Sequence, residues 1–367
     1  MRIVQLNKKT DYLSFFKVGK EVYKNSPCFK ATDNDIIKLL IEGPTHFHTH
    51  AQVTPFLIYK DFDIVGRFAF IYDKRLMYYA QVAFFEAFDG LEDVDQLLIS
   101  EAKIRYPECK KICIGLNGHL NYSAGFLQNN FDEVPVFGLP YSQPYYLKYF
   151  KNLHKRKIVS FRFSTKNASS YINKLKNTRF GENISVRKLD RNNIAVDTLI
   201  YTYLNNLCFQ KHPYWSDRDG IEDLELFEPF KNLLRDENLI FAEYNGKVVG
   251  FLLWFPDFNQ LVRKQRELRA GKSYSYDVLR YRFFNPIQRF RFTEIAVDPE
   301  YRKKGIELAL INQMIIDVAK TRYKFGEGGF IFEENLDSVN LTIRYIERFT
   351  GETIQPHNRY VVYEANL

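Results

Sequence analysis

An internal repeat constrains this chain more than any other feature. Residues 57–73 read LIYKDFDIVGRFAFIYD and residues 241–257 read FAEYNGKVVGFLLWFPD. Each is a hydrophobic strand, a polar turn, Val-Gly, a second hydrophobic strand and an Asp, and they align at an offset of 184. The N-terminal RIVQLNKKTD aligns with VRKLDRNN when Leu6 is set on Leu189, an offset of 183. Two matches at nearly one offset predict two copies of one fold, each opening with a strand and then a helix. A length of 367 residues suits two domains. After the second hairpin the pattern predicts a strand over 291–298, a helix over 306–320, a short strand over 329–332, a helix over 335–349 and a last strand over 359–363. That alternation argues for an α/β (α+β) fold with a mixed sheet.

Charge helps to place the boundary between the copies. The net charge is +8, but residues 148–181 carry ten basic side chains and no acidic one, and residues 259–291 carry a net +7. Subtracting that +17 from +8 leaves −9 for the rest, an acidic body with two basic stretches. The excess is weak evidence for nucleic acid and modest evidence for an anionic cofactor. The expected organisation is a first domain over 1–165, a basic linker over 166–182 and a second domain over 183–367. The four cysteines, Cys28, Cys109, Cys113 and Cys208, form neither a zinc pattern nor a disulfide framework. With no signal peptide pattern and no long apolar run, they predict a soluble cytoplasmic protein without membrane association.

Between strand and helix of the second copy stands Val297-Asp-Pro-Glu-Tyr-Arg302-Lys303-Lys304-Gly305-Ile306-Glu307. A strand ends there, the chain turns, and a helix begins at a Gly preceded by three cations. A helix N-terminus offers unpaired N–H groups and a positive dipole end, and Gly lets backbone approach a bulky anion. The alternative is a charged turn that binds nothing.

The run EIAVDPEYRKKGIELALI resembles motif A of the GNAT acyltransferases, an Arg/Gln-x-x-Gly-x-Gly/Ala pattern after a strand end. AEYNGKVVGFLLW resembles the family's second and third strands, and GFIFEE followed by Asn335 its fifth strand and next helix start. The resemblance covers roughly residues 183–367. It implies two tandem GNAT-like domains, each a mixed, mostly antiparallel central sheet flanked by helices. It also implies acetyl-CoA or another acyl-CoA as co-substrate, with no metal. The pyrophosphate would lie on the N–H groups around Lys303 to Ile306, beside Arg302 and Lys304. The pantetheine arm would lie along Ile295, Ala296 and Val297, with Asn335 opening the neighbouring helix. One departure is Glu307, where the family has Gly or Ala. The first copy departs further: YYAQVAFFEAF leads into DGLEDVDQLL, where Asp89, Glu92, Asp93 and Asp95 crowd the phosphate position. It resembles a degenerate GNAT domain kept for architecture or acceptor binding.

The implied chemistry is direct transfer of an acyl group to a primary amine of a small molecule or peptide. Glu294, a carboxylate inside RFTEIAV, is the candidate base, its pKa raised by burial. An ion pair with Arg291 is the competing explanation. Tyr345 is the candidate acid, or else a core tyrosine. Asp257 and Asn259 in the PDFNQ turn either orient an acceptor amine or shape the turn. Tyr214 and Trp215 in KHPYWSD suit an apolar acceptor, or line the core. His46, His48 and His50 alternate and on a strand would share one face; a polar strand end is preferred to a metal site. Two other functions compete: a Fem-like aminoacyl-tRNA-dependent transferase, for which the basic stretches would hold tRNA, and a non-catalytic CoA- or ligand-binding GNAT-like protein.

Overall fold

The computed structural model describes residues 1–7, 9–32, 34–175, 183–263 and 266–367. Residues 176–182 of the expected basic linker lie outside the described residues. In the first half β1 (Arg2–Gln5) leads into α1 (Lys9–Val22) and α2 (Asn34–Glu42), then β2 (Ala51–Lys60), β3 (Asp63–Asp73) and β4 (Tyr79–Ala87). There follow α3 (Val94–Arg105), β5 (Lys111–Ile114), β6 (Phe126–Leu127), the short α4 (Tyr146–Tyr149) and β7 (His154–Ser164). After α5 (Ala168–Leu175) the pattern restarts with β8 (Ile184–Lys188), α6 (Ile194–Phe209) and α7 (Gly220–Phe227). The hairpin β9 (Leu239–Tyr244) and β10 (Lys247–Pro256) leads to α8 (Tyr276–Phe284) and β11 (Arg289–Val297). The chain closes with α9 (Ile306–Ala319), β12 (Phe325–Phe332), α10 (Leu336–Thr350) and β13 (Asn358–Asn366).

The strands join in one sheet, in the order β1-β2-β3-β4-β5-β13-β7-β12-β11-β10-β9-β8, with β6 also on β13. Read from either edge, five strands of one half are followed by the closing strand of the other. β7, which ends the first half in sequence, pairs with β12 of the second. β13, which ends the chain, pairs with β5 and β6 of the first. The two exchanged strands pair with each other over Asn358–Glu364 and His154–Ser160. A cut between residues 165 and 183 would leave each half holding the other's closing strand.

The repeated Val-Gly has a steric cause. At Gly66 an added Cβ would stand 3.0 Å from the Glu86 carbonyl oxygen, and at Gly250 one would stand 2.8 Å from that of Ala296. Both glycines therefore let β4 and β11 cross β3 and β10 closely. The Asn245-Gly246 turn that joins β9 to β10 has positive φ at both residues, the conformation a tight hairpin requires.

At the seam, Glu364 takes Lys111 Nζ at 2.7 Å and Arg156 Nε at 3.0 Å and accepts a hydrogen bond from Tyr214 Oη. His46, His48 and His50 are not on a strand. They lie on and just after a 3-10 turn before β2, where His48 accepts from the Thr45 amide and meets the Leu40 carbonyl. Among the described residues no group of three or more His, Cys, Asp or Glu is placed to hold a metal ion, and no helix is long and apolar enough to cross a membrane. All four cysteines are free thiols.

Candidate active site

The site begins where two parallel strands part. β11 and β12 pair over Arg289–Phe292 and Phe325–Gly328 and no further. Gly329 and Phe330, both at positive φ, turn β12 away. On β11, a register shift against β10 leaves Thr293 as an extra residue between Phe292 and Glu294. Residues 293–297 are thereby left without a strand on the β12 side, and their outward N–H and C=O groups face a gap.

Two cavities meet at this gap. One, of about 70 Å³, is a slot between α9, α10 and β11, and its walls include Phe292, Ile295, Glu307, Leu341 and Tyr345. The other, of about 340 Å³, lies between the two halves of the molecule. Phe292, Ile295, Leu341 and Thr342 belong to the walls of both. The first half contributes Lys30, Arg67, Glu86 and Phe137 to the large cavity; the second contributes Arg291, Glu294, Trp215 and Asn259 among others.

Glu294 is enclosed by protein except where it meets the large cavity. Its carboxylate accepts from Tyr201 Oη at 3.1 Å and from Asn205 Nδ2 at 2.7 Å. Burial is the main cause of a pKa raised above the usual glutamate value; the two hydrogen bonds partly oppose it and the charge of Asp223 adds to it. Arg291 makes no ion-pair contact with Glu294, although the two charges lie within electrostatic reach of each other. Tyr201 and Asn205, four residues apart on one face of α6, were not singled out from the sequence. Their i, i+4 spacing opposite a buried strand carboxylate is the signal that marks them.

At the end of β11 the chain makes a short 3-10 turn, then passes through Lys303 (φ 65°) and Gly305 (φ 86°) into α9. Open space surrounds Gly305 where a side chain would be. The first turn of α9 lacks intrahelical partners for its N–H groups. Arg302, Lys303 and Lys304 are exposed. Arg302 Nε donates to the Val297 carbonyl at 3.1 Å, and Lys304 Nζ sits 4.7 Å from the ring centres of Tyr244 and Tyr301. Glu307 lies at the slot wall, where its charge helps burial to raise the Tyr345 pKa. Ala296, Val297 and Ile306 are buried behind the loop.

The remaining expected residues separate clearly. Tyr345 lines the slot and not the cavity that holds Glu294. Asn335 caps α10, accepting from the Ser338 amide at 3.2 Å. Trp215 reaches the cavity wall. Tyr214 does not: it is buried at the seam with its hydroxyl on Glu364. Asp257 is likewise no acceptor contact. It is fully buried, pairs with Arg289 at 2.7 Å and accepts from the Phe137 amide at 2.8 Å. Asn259 lines the cavity, but its amide is engaged by Thr32 and by the Pro135 carbonyl, both from the first half. In the basic 259–291 stretch, Arg266 pairs with Asp277 and Arg289 with Asp257, which removes cations from any nucleic-acid surface.

The first half repeats the strand parting: β4 and β5 pair only over Tyr79–Val82 and Lys111–Ile114. Its gap is filled from within. Tyr146 Oη receives the Ala87 amide at 2.8 Å and donates to Glu86 at 2.7 Å. Tyr145 Oη donates to the Ala87 carbonyl at 2.8 Å and Tyr149 Oη to that of Phe88 at 2.6 Å. Counting back three from the strand residue opposite each repeat glycine sets Phe84 on Glu294, while the cross-strand register sets Ala83 there; neither is a carboxylate.

Comparison with known proteins bears on the family and the fold. Residues 204–342 match the acetyltransferase (GNAT) family model. Across the whole chain the fold resembles a tandem GNAT protein from the clavulanic acid biosynthesis pathway, with a TM-score of 0.54, 11% identity, and coverage of 100% of this chain and 98% of that one. It also resembles the GCN5-related glucosamine N-acetyltransferase region of a fungal multi-domain β-N-acetylglucosaminidase, with a TM-score of 0.55 and 11% identity, covering 99% of this chain and 38% of that one. A probable N-acyltransferase of Enterococcus faecalis gives a TM-score of 0.51 at 10% identity, covering 100% of this chain and 72% of that one. No curated protein matches the sequence.

Proposed function

With a GNAT acetyltransferase domain in its second half, on a fold of two GNAT units in tandem, we propose that this protein is an acetyl-CoA-dependent N-acyltransferase that acetylates a primary amine by direct transfer. The donor lies along residues 295–297 in the slot, with its pyrophosphate on the first turn of α9 beside Arg302 and Lys303. The acceptor occupies the cavity between the halves. The carrying observation is that Glu294 faces this cavity at the place where the cavity adjoins the slot.

Glu294 takes the proton from the acceptor ammonium, directly or through one water. The freed amine attacks the thioester carbonyl carbon and a C–N bond forms; as the tetrahedral intermediate collapses the C–S bond breaks, and the second nitrogen proton leaves through water to restore the proton that Tyr345 gives up. Tyr345, kept protonated by burial and by Glu307, supplies a proton to the departing thiolate. The first half donates cavity wall and holds no second donor. Free cysteines and a site built for a cytosolic thioester support a cytoplasmic setting.

The test incubates the protein with acetyl-CoA and a panel of primary amines, reading thiol release and the mass of the acetylated product. Turnover with at least one amine is expected, strongly reduced in Glu294→Gln and more mildly in Tyr345→Phe. Activity unchanged in Glu294→Gln would remove the base assignment.

A further inference from the structure

The large cavity contains a cation, Arg291, with which no carboxylate among the described residues makes an ion pair. Arg291 leaves β11 toward the cavity, and its guanidinium passes over Gly138 of the first half. Gly138 is at φ +80° and lacks the Cβ that would stand 2.3 Å from Arg291 Nη1, so the chain is shaped to admit this side chain. Below it lies the Phe255 ring, 6.0 Å from Cζ to centroid. Its hydrogen bonding is poor: Nη1 reaches the Phe137 carbonyl at 3.5 Å, and buried Nε has no partner.

Three other enclosed arginines are held by carboxylates. Arg218 pairs with Asp223, Arg75 with Asp73 and Glu222, and Arg289 with Asp257. Among the described residues Arg291 has no carboxylate in ion-pair contact; Glu294 and Glu327 act on it only from beyond contact, and burial outweighs them and pulls its pKa below the usual arginine value. An enclosed charge without a counter-charge in contact is costly, and a bound anion relieves that cost. The planar fork of a guanidinium favours a carboxylate.

We propose that Arg291 receives a carboxylate of the acceptor, so that the acceptor is an amino acid-like amphiphile with an apolar body between its amine and its carboxylate. Because Thr293 is bulged out, Arg291 and Glu294 face β10 residues only two apart, Phe255 and Leu253, and stand roughly 7 Å apart along the sheet. That spacing keeps the carboxylate away from the reacting amine and disfavours a plain α-amino acid head group. The aromatic walls at Phe137, Phe230, Phe255 and Phe258 receive the body. Calling the ligand the acceptor rests on the acetyl-transfer reading; the anion site itself does not.

Calorimetry with 4-phenylbutyrate and its uncharged partner 4-phenylbutyramide tests the site without any turnover. The acid is expected to bind the wild type about tenfold more tightly than the amide, the worth of one charge-assisted contact. Arg291→Gln loses that preference and keeps its affinity for acetyl-CoA, which also reports that the variant is folded. The wild-type comparison stands even if the variant fails to fold. Equal binding of acid and amide, no binding of the acid, or an undiminished preference in folded Arg291→Gln would overturn the inference. A preserved acid preference in a protein that acetylates no amine would refute the acetyl-transfer reading and leave the anion site standing.

Discussion

Glu294 carries its role through its surroundings. Burial raises its pKa above the ordinary 4.5, while Tyr201 and Asn205 keep the carboxylate aimed at the cavity. A base works only when ionised, so kcat/KM should rise with pH along a limb centred above 4.5. The stability effect has the opposite sign. A folded-state pKa above the unfolded value means the folded protein holds this proton more tightly, so its stabilising contribution is present below the unfolded pKa and is lost as pH rises through the folded one. Glu294→Gln should therefore lower kcat/KM by about 10²–10⁴-fold and abolish the acidic limb. Its melting temperature at neutral pH should be no lower than that of the wild type; pH–rate profiles and thermal melts check the two halves of this expectation. Gly305 makes a complementary case. Open space surrounds its Cβ position, so Gly305→Ala meets only the strain of φ 86°, about 1 kcal/mol of stability. A raised KM for acetyl-CoA with a small loss in denaturant midpoint is the expected result. The base candidate was legible because a carboxylate inside an apolar strand run stands out. Arg291 was legible only as its partner, since the extra residue at Thr293 and the Gly138 passage come from tertiary packing. Tyr214 and Asp257 misled because turn chemistry and seam burial use the same residue types as an acceptor site.

At the scale of elements, one strand parting serves two ends. Between β11 and β12 it stays open beside a cation-bearing loop; between β4 and β5 it is closed by α4. The acid-rich β4–α3 turn of the first half was readable from Asp89, Glu92, Asp93 and Asp95. The tyrosine plug was not, because PYSQPYYLKYF carries no feature that separates a core from a mimic of bound ligand. Tyr146→Phe removes the hydroxyl that serves both the Ala87 amide and Glu86. The expected cost is about 1–3 kcal/mol, the range for leaving buried polar groups unsatisfied. Chemical denaturation measures it, and acetyl-CoA affinity should not change if, as proposed, the first half holds no donor.

For the whole molecule, the exchange of β7 and β13 should make the two halves unfold as one unit. The Val-Gly repeat was visible in the sequence because backbone crossing forces a glycine in both copies. The exchange was invisible because RYVVY fits the edge of either sheet equally. Ion pairs fasten the halves further, Arg75 of the first to Glu222 of the second at 2.6 Å and Lys111 to Glu364 at 2.7 Å. Truncation before Asn358 strips β5, β6 and β7 of a shared partner, so the shortened chain should lose cooperative unfolding by circular dichroism. A truncated chain that melts like the full one would show that the exchanged strand is dispensable. The central claim is that one half alone takes the acyl donor and the other is sealed. Calorimetric titration of the full chain with acetyl-CoA tests it most directly. One molecule should bind per chain, and the double substitution Arg302→Glu with Lys303→Glu should abolish binding. Two sites per chain, no binding, or one site indifferent to those substitutions would contradict it.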